Sequence, residues 1–288
     1  QKFLGRPQNQ QQRQRIERSL GSAVIVSPDG FLLTNYHVIE GADEILIQLY
    51  DGRQALATVI GADPELDMAV LHVNLADLQA INIGDPSAAR VGDHILAIGN
   101  PYGFSQTVSH GIISAKERYG LGFSDFERFI QTDAAVNPGS SGGALVDSEG
   151  NLIGINTAIY TDFGGSKGIS LAIPVDQALR TMADLVEFGR PQRGWLGIEA
   201  SALSSTPNSK GGVIIHAVFP GGPGDRAGLQ RGDVIYAING ESVGDGHAGM
   251  KLMAMTRPGE TVTVRFMRGN NDYEIGIAVA ERPLIKKS

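Results

Sequence analysis

The amino-acid sequence predicts a mainly β protein, with two consecutive antiparallel β-barrels followed by a smaller α+β unit. Short apolar runs recur at intervals of roughly 8–12 residues, a spacing typical of a barrel or a sandwich. Glycine occupies 38 of the 288 positions, which is enough to supply many tight turns. One amphipathic helical pattern then separates this strand-rich part from the C-terminal unit. Because the strand-like runs fall into two sets of similar length, we favour two barrels.

The two sets of runs define the strand-rich part, which we place at residues 20–189. Asp147–Asn151 has the composition of a hairpin turn and lies inside the second set. The first set comprises Ser22–Ser27, Phe31–Thr34, Glu44–Leu49, Ala55–Ile60, Ala69–Val73 and His94–Ile98. The second comprises Thr107–Ser114, Ala144–Val146, Leu152–Ile155 and Ile169–Ala172.

A helix is predicted to close the strand-rich part. Pro174 suits its first turn and Gly189 its end. Its apolar positions follow the helical period at Val175, Ala178, Leu179, Met182, Leu185 and Val186. Residues 190–193 are interpreted as a linker and residues 194–283 as a separate unit. Within that unit we predict strands at Gly212–Ala217, Asp233–Ile238, Thr261–Arg265 and Tyr273–Val279, with a helix at about Gly246–Met255.

Both ends of the chain are predicted to be loose. Residues 1–19 hold six glutamines and five Lys or Arg, and such a polar tract buries too little surface to become ordered. We interpret it as a flexible N-terminal arm, and residues 284–288 as a tail. The sequence begins at Gln1 without a signal-peptide pattern, so we expect a chain that has been processed or shortened.

Composition excludes several classes of protein. The chain has no cysteine, which rules out disulfides, thiol nucleophiles and thiolate metal sites. This absence fits the cytosol or the bacterial periplasm. A net charge of −7 argues against nucleic-acid binding across the whole molecule. No apolar run is long enough for a membrane span.

Three residues have the types that nucleophilic catalysis by serine requires. His37 follows a strand-like run, Asp67 opens another, and Ser141 lies in the glycine-bounded loop Gly139–Gly143. A serine hydroxyl is a weak nucleophile until an imidazole accepts its proton, and a carboxylate must orient that imidazole. The flanking glycines allow the amides of Gly139 and Ser141 to converge on one oxygen as an oxyanion hole. Taken alone, each could be structural: a turn serine, a packed histidine and a strand-end cap. His37, Asp67 and Ser141 are therefore a candidate catalytic triad, which the family resemblance described below favours.

Other polar residues are interpreted as structural. Asp63 is the rival carboxylate, but it precedes Pro64, and this position suits a turn. Gly99–Gly103 is interpreted as a turn between the barrels, because no strand–glycine loop–helix unit surrounds it. We expect no metal site, since none of the remaining histidines shares a short ligand spacing with another; they are His72, His94, His110, His216 and His247.

Six segments together resemble the HtrA (Deg) family of trypsin-like serine proteases. With one PDZ-like unit, the chain is more similar to the DegS/AlgW branch than to the branch with two PDZ domains. Ser140 stands where the family has Asn. Since that residue shapes the loop through its backbone, we expect activity to be retained with Ser141 as nucleophile. The matching segments are Thr34–Val38, Asp67–Leu71, Gln131–Asn137, Gly139–Leu145, Gly168–Pro174 and Arg193–Ile198.

The resemblance implies a trypsin-like double barrel followed by a PDZ domain, without a cofactor. It also implies two binding sites. The substrate pocket would involve Val136, Ile155, Asn156, Thr157 and Ala158, and it would accept a small aliphatic residue. A peptide C-terminus would bind the PDZ domain at Trp195, Leu196, Gly197 and Ile198, with Met250 and Met253 beside it.

The resemblance further implies a periplasmic homotrimer, tethered to the inner membrane by a preceding segment. It would sense the C-termini of misfolded outer-membrane proteins and cleave a membrane-bound anti-sigma factor. The glycine-rich stretches Gly120–Ser124 and Thr161–Gly168 are candidate receivers of the PDZ signal. Two alternatives stay open: a broad periplasmic quality-control protease, and a PDZ scaffold without catalysis.

Overall fold

A computed structural model describes residues 20–101, 106–121, 127–159, 168–203, 211–244 and 247–283. The predicted N-terminal arm and C-terminal tail lie outside these residues, as do most of the two candidate receiver stretches. The described chain is mostly strand, which confirms the predicted mainly β fold class. None of its described helices is long and apolar enough to cross a membrane.

The first half of the strand-rich part is a five-stranded antiparallel sheet in the order β1-β2-β5-β4-β3. Its central strand β5 is apolar at every position from Met68 to Leu71 and is buried on both faces. Met68 and Val70 contact one core cluster, and Ala69 and Leu71 contact another, as the alternation of a strand requires. The elements are β1 (Val24–Ile25), β2 (Phe31–Thr34), α1 (Tyr36–Ile39), β3 (Ile45–Gln48), β4 (Gln54–Asp63) and β5 (Met68–His72).

The second half is a closed six-stranded barrel. Ile95, Ile113 and Ile130 fill its interior. The hairpin predicted at Asp147–Asn151 is present, with the Asp147 amide donating to the Asn151 carbonyl at 3.0 Å. The strands are β6 (His94–Gly99), β7 (Thr107–Arg118), β8 (Phe129–Thr132), β9 (Ala144–Asp147), β10 (Leu152–Ile159) and β11 (Ser170–Pro174), and they close in the order β10-β11-β8-β7-β6-β9.

One core cluster joins the two halves to the predicted helix α2 (Val175–Phe188). Leu185 of α2 is 1 % exposed and packs against Gly61 of β4, where a Cβ would approach Leu185 Cδ2 to 3.0 Å. Gly189 ends the helix with φ 71°, a left-handed conformation that glycine adopts without steric cost. The helix therefore fastens the sheet and the barrel to each other.

The described residues of the C-terminal unit form a main sheet, a short strand pair and two helices. The edge strand β13 pairs with β14, and the main sheet continues in the order β13-β14-β15-β17-β18, with β16 paired to β15. Its core is a separate apolar cluster. The elements are β12 (Gly194–Trp195), β13 (Ile198–Leu203), β14 (Gly212–Val218), α3 (Pro223–Arg226), β15 (Val234–Ile238), β16 (Glu241–Ser242), α4 (His247–Met255), β17 (Thr261–Arg268), β18 (Asn271–Ala278) and β19 (Ala280–Glu281).

Ion pairs connect the C-terminal unit to the first sheet. Arg193, only 12 % exposed, binds the fully buried carboxylate of Asp63 and lies 2.9 Å from Glu65. Burial raises the pKa of Asp63 above its ordinary value, although the Arg193 guanidinium opposes this shift. Arg257 adds a contact to Asp184 of α2 at 3.6 Å. Asp63, the rival carboxylate of the sequence analysis, is thus part of this connection.

Candidate active site

His37 and Asp67 come together because β2 and β5 are neighbours in the first sheet. His37 lies on α1, the short helix that follows β2, and Asp67 directly precedes β5. The His37 Nδ1 atom is 2.8 Å from Asp67 Oδ2, and the His37 amide donates to Asp67 Oδ1 at 3.0 Å. Both carboxylate oxygens therefore orient His37, which leaves its Nε2 free to face the cleft.

The Asp67 backbone is held in an unusual conformation. Its φ of 57° is left-handed, which costs a non-glycine residue about 1–3 kcal/mol. The Asp67 carbonyl accepts from the Asn35 side-chain amide at 3.0 Å and from the Tyr36 amide at 3.2 Å. Asn35 is completely buried. Asn35 thus holds the Asp67 backbone in place through this hydrogen bond, a role that the sequence analysis did not predict.

Thr157 of β10 links the carboxylate to the serine. Its hydroxyl donates to Asp67 Oδ2 at 2.7 Å, and its carbonyl accepts from the Ser141 hydroxyl at 3.1 Å. The single Ser141 hydroxyl proton serves one acceptor at a time, so it must leave the Thr157 carbonyl before His37 can accept it. The sequence analysis placed Thr157 in the substrate pocket and missed this contact, because 90 positions separate Thr157 from Asp67.

The serine loop presents two unused backbone donors. Gly139 has φ 97°, which requires glycine, and its carbonyl accepts from the Ser22 hydroxyl at 2.8 Å. The Gly139 and Ser141 amides have no acceptor among the described residues. Donors of this kind, fixed in advance, are what an oxyanion hole needs.

Ser140 and Ser141 differ in their access to the cleft. Ser141 lines a cavity of about 250 Å³, whereas Ser140 is 6 % exposed and does not line it. A Cβ on Gly99 would approach the Ser140 Cα to 2.7 Å, so Ser140 is packed against β6. The arrangement favours Ser141 as the nucleophile.

The cavity brings some of the predicted pocket residues together. His37, Val136 and Thr157 line it with Ser141, whereas Ile155 belongs to the core cluster between the two halves. Asn156 is fully buried, and its side-chain amide donates to the Ala144 carbonyl at 3.0 Å. The Ala158 side chain lies outside the described part of the structure. The pocket roles of these residues stay predictions. Leu20, Val38, Asn137, Pro138 and Gly139 complete the lining.

The C-terminal unit presents a second group of unused amides. The Leu196 and Gly197 amides, between β12 and β13, have no acceptor in the described ranges. Their carbonyls instead accept from Gly224 at 2.7 Å and from Phe219 at 2.9 Å, which fixes the loop. Since β13 is an edge strand, the loop stands at the start of an open sheet edge.

The remaining residues predicted for peptide binding lie around this loop. The Trp195 ring is 5.3 Å from the Phe219 ring. Ile198 opens β13 and packs against the core of the C-terminal unit, as does half-buried Met253 of α4. The Met250 side chain is not among the described ones. Their peptide-binding roles stay predictions.

Comparisons with known families match the two parts of the chain to two domain types. Residues 21–155 match the family described as Trypsin-like peptidase domain, and residues 194–279 match the family described as PDZ domain. A relative in Hahella chejuensis, called "Probable periplasmic serine endoprotease DegP-like", is 42 % identical over 287 residues. This alignment covers 98 % of the chain and 61 % of the relative. The chain spans about three fifths of the length of the first curated relatives it matches.

Two solved structures extend the comparison to the whole fold. "HtrA-type protease AlgW with decapeptide" is 48 % identical with a TM-score of 0.83, covering 92 % of this chain and 84 % of that one. "HtrA-type protease AlgW with tripeptide" is also 48 % identical, with a TM-score of 0.84 and coverages of 93 % and 91 %. Identity of this level over most of both chains shows that the chain belongs to the HtrA family of trypsin-like serine proteases.

Proposed function

We propose that the chain is a serine endopeptidase that cleaves peptide bonds through an acyl-enzyme. The observation that carries this proposal is the bidentate orientation of His37 by Asp67 beside the cleft that Ser141 lines. The relatives named as serine endoproteases support it. Labelling with a fluorophosphonate tests it against the alternative of a silent scaffold: the endopeptidase incorporates the label at Ser141, and a silent scaffold does not.

The reaction follows from the positions of the groups. The Ser141 hydroxyl attacks the substrate carbonyl carbon while His37 Nε2 accepts its proton. The amides of Gly139 and Ser141 donate to the resulting oxyanion. As the C–N bond breaks, His37 returns the proton to the leaving amine. Water then attacks the acyl-enzyme, with His37 as base again, and releases Ser141.

The cleft supports a small aliphatic residue on the acyl side of the cleaved bond. Val136 is 2 % exposed and forms part of its wall, and no carboxylate is among the described lining residues. A cationic side chain would therefore lose its hydration without gaining a partner. Peptides with Val or Ala at this position should be cleaved in preference to matched peptides with Lys or Arg. Faster cleavage after Lys or Arg would contradict this pocket.

We further propose that the PDZ domain regulates hydrolysis by binding peptide C-termini. The unused Leu196 and Gly197 amides suit a carboxylate, and the open edge of β13 suits an added strand. The AlgW structures were solved with a decapeptide and a tripeptide, which supports peptide binding by this chain as well. A peptide can shift the enzyme toward its active state only by binding that state more tightly.

The free carboxylate is the group to test. Low basal hydrolysis should rise when a peptide with an apolar free C-terminus is added. The matched control is the same peptide with a C-terminal amide, which should lose most of the activation. Equal activation by both peptides would show that the domain does not recognise a carboxylate.

The biological setting that we propose is the periplasm, which the names of the relatives support. There the protein would act as an inner-membrane-tethered homotrimer, sense misfolded outer-membrane proteins and cleave a membrane-bound anti-sigma factor. The single PDZ-like unit is our basis for preferring this role, and broad periplasmic quality control is the alternative. Digesting a candidate anti-sigma factor and a denatured protein in parallel distinguishes them. Peptide-dependent cleavage at one site supports signalling, and many cuts in both proteins support quality control.

A further inference from the structure

Two exposed histidines meet on the second barrel, and neither of them lines the cleft. His94 opens β6 and His110 lies in β7. The antiparallel register pairs His94 with Ile112 and Leu96 with His110, so the two histidines are diagonal neighbours on one face. The His94 Nδ1 atom lies 3.0 Å from His110 Nε2. The rings stack with their centroids 5.1 Å apart and their planes at 26°.

This nitrogen separation is the one that a shared metal ion requires. Two imidazole nitrogens bound to one ion at about 2.0–2.1 Å, with an angle of roughly 90–110°, lie about 2.9–3.4 Å apart. A hydrogen bond between two ring nitrogens has one donor and one acceptor, so one nitrogen lone pair already lies in the contact. A cation can therefore replace the shared proton after small rotations about χ2, which exposed side chains can make.

The sequence analysis expected no metal site because it considered only spacing along the chain. Sixteen positions separate these histidines, and only the strand register joins them. Among the described residues no group of three or more His, Asp or Glu is placed to hold an ion. The nearby Asp93 carboxylate accepts from the Arg90 amide at 2.8 Å. The site therefore has two protein ligands, and water completes the coordination.

We propose that His94 and His110 form a two-histidine site for a late first-row divalent cation. Imidazole suits Cu²⁺, Ni²⁺ and Zn²⁺, with Cu²⁺ bound most tightly, whereas Mg²⁺ and Ca²⁺ prefer oxygen ligands. The bound ion joins β6 to β7, which are adjacent strands of the closed barrel. An ion that binds the folded state alone stabilises it by mass action. The site is independent of the proposed hydrolysis.

Copper titration of the full chain tests the site directly. The metal-free protein should bind one Cu²⁺ with an electron paramagnetic resonance spectrum that shows coupling to two imidazole nitrogens. His94→Gln and His110→Gln should each lower the affinity about tenfold or more and remove this signature. His216→Gln and His37→Gln are matched controls on other histidines, and they should bind as the unchanged protein does. Binding that survives in both test variants, or no nitrogen-bound copper in the unchanged protein, would overturn the proposal.

Thermal unfolding with Zn²⁺ tests whether a bound ion stabilises the pairing of β6 with β7. Zn²⁺ should raise the Tm of the unchanged protein and leave the Tm of His94→Gln unmoved. Mg²⁺ should shift neither protein. The Tm values of His94→Gln and the unchanged protein, both measured with a chelator, test whether the metal-free variant is as stable as the unchanged chain. An equal Tm shift by Zn²⁺ in both proteins would mean that the ion binds at another site, and it would contradict the proposal. Neither experiment depends on peptide cleavage.

Discussion

Asp67 has more polar contacts than either of its proposed catalytic partners. Its carboxylate accepts from the His37 amide, the His37 ring and the Thr157 hydroxyl. Its carbonyl accepts from the Asn35 side chain and the Tyr36 amide. These contacts hold the carboxylate and the strained backbone together. The orientation of His37 is therefore built before a substrate arrives.

The two adjacent serines allow a direct test of the nucleophile. Ser141→Ala should reduce kcat by several orders of magnitude, because the attacking oxygen is lost. Ser140→Ala should keep substantial activity, since the Ser140 side chain lies outside the cleft. Peptide hydrolysis by both purified variants decides the matter. An inactive Ser140→Ala beside an active Ser141→Ala would reverse the assignment.

Thr157 supports a prediction about positioning. Thr157→Val removes the hydroxyl that donates to Asp67 Oδ2 while keeping the shape of the side chain. A hydrogen bond to a charged group is worth about 1.5–3 kcal/mol, so kcat/KM should fall by about tenfold or more. Thr157→Ser retains the hydroxyl and should retain most of the activity. Equal activities in the two variants would mean that this hydrogen bond does not support His37.

Local sequence predicted the proposed triad, but not the two residues that hydrogen-bond to Asp67 and hold it in place. His37, Asp67 and Ser141 each stand beside a strand or in a glycine-bounded loop, where a short pattern is visible. Asn35 and Thr157 reach Asp67 only because β2, β5 and β10 come together in the fold. Such contacts depend on which strands are neighbours, and no local pattern encodes that information.

At the scale of elements, apolar periodicity was sufficient to predict α2 and insufficient to predict five of the strands. The predicted helix from Val175 to its glycine end is confirmed. The predicted strands differ from the observed ones mainly at their ends. β8, β12, β13, β16 and β19 were not predicted. β12, β16 and β19 have two residues each and β8 has four, while β13 is an edge strand whose last residues are exposed. Their pairing with neighbours decides their conformation.

Leu185 tests the role of α2 in joining the sheet to the barrel. Leu185→Ala should lower the free energy of unfolding by about 2–5 kcal/mol, because it leaves a cavity beside Gly61. Val186→Ala is the neighbouring control, since Val186 is 48 % exposed and should cost about 0.5 kcal/mol or less. Chemical denaturation measures both. Equal losses would mean that the helix does not depend on this contact.

At the scale of the whole molecule, one buried ion pair connects the protease part to the PDZ domain. Arg193 directly precedes the PDZ domain, and Asp63 ends β4. A buried carboxylate loses hydration that even a close guanidinium only partly replaces. The raised pKa of Asp63 expresses this cost.

The free-energy cost of burying the Asp63 carboxylate predicts that the stability of the protein depends on pH. The pKa of Asp63 in the folded protein is raised above its ordinary value of 3.8. Its contribution to the free energy of unfolding is therefore fully present below pH 3.8 and is lost as the pH rises through the folded pKa. Asp63→Asn cannot ionise and avoids this loss, and Glu65 remains as a partner of Arg193. The stability of the variant relative to the unchanged chain should therefore increase as the pH rises. Denaturation at several pH values measures the difference.

Asp85 provides the opposite control. The Ser87 hydroxyl and amide hydrogen-bond its carboxylate and lower its pKa, so its contribution is present above 3.8 and is lost as the pH falls. Asp85→Asn should lose stability relative to the unchanged chain at neutral pH, and the gap should close in acid. If the stability of both variants, relative to the unchanged chain, changed with pH in the same direction, the raised pKa assigned to Asp63 would be wrong.

The closed barrel also sets when the proposed catalytic site can first exist. A nascent chain leaves the ribosome N-terminus first, so His37 and Asp67 emerge long before Ser141 and Thr157. Strand β10, which carries Thr157, must pair with both β9 and β11, and β11 ends only at Pro174. A partly synthesised chain therefore lacks the barrel closure that holds Thr157 against Asp67. The proposed catalytic site is therefore complete only after most of the strand-rich part has been synthesised.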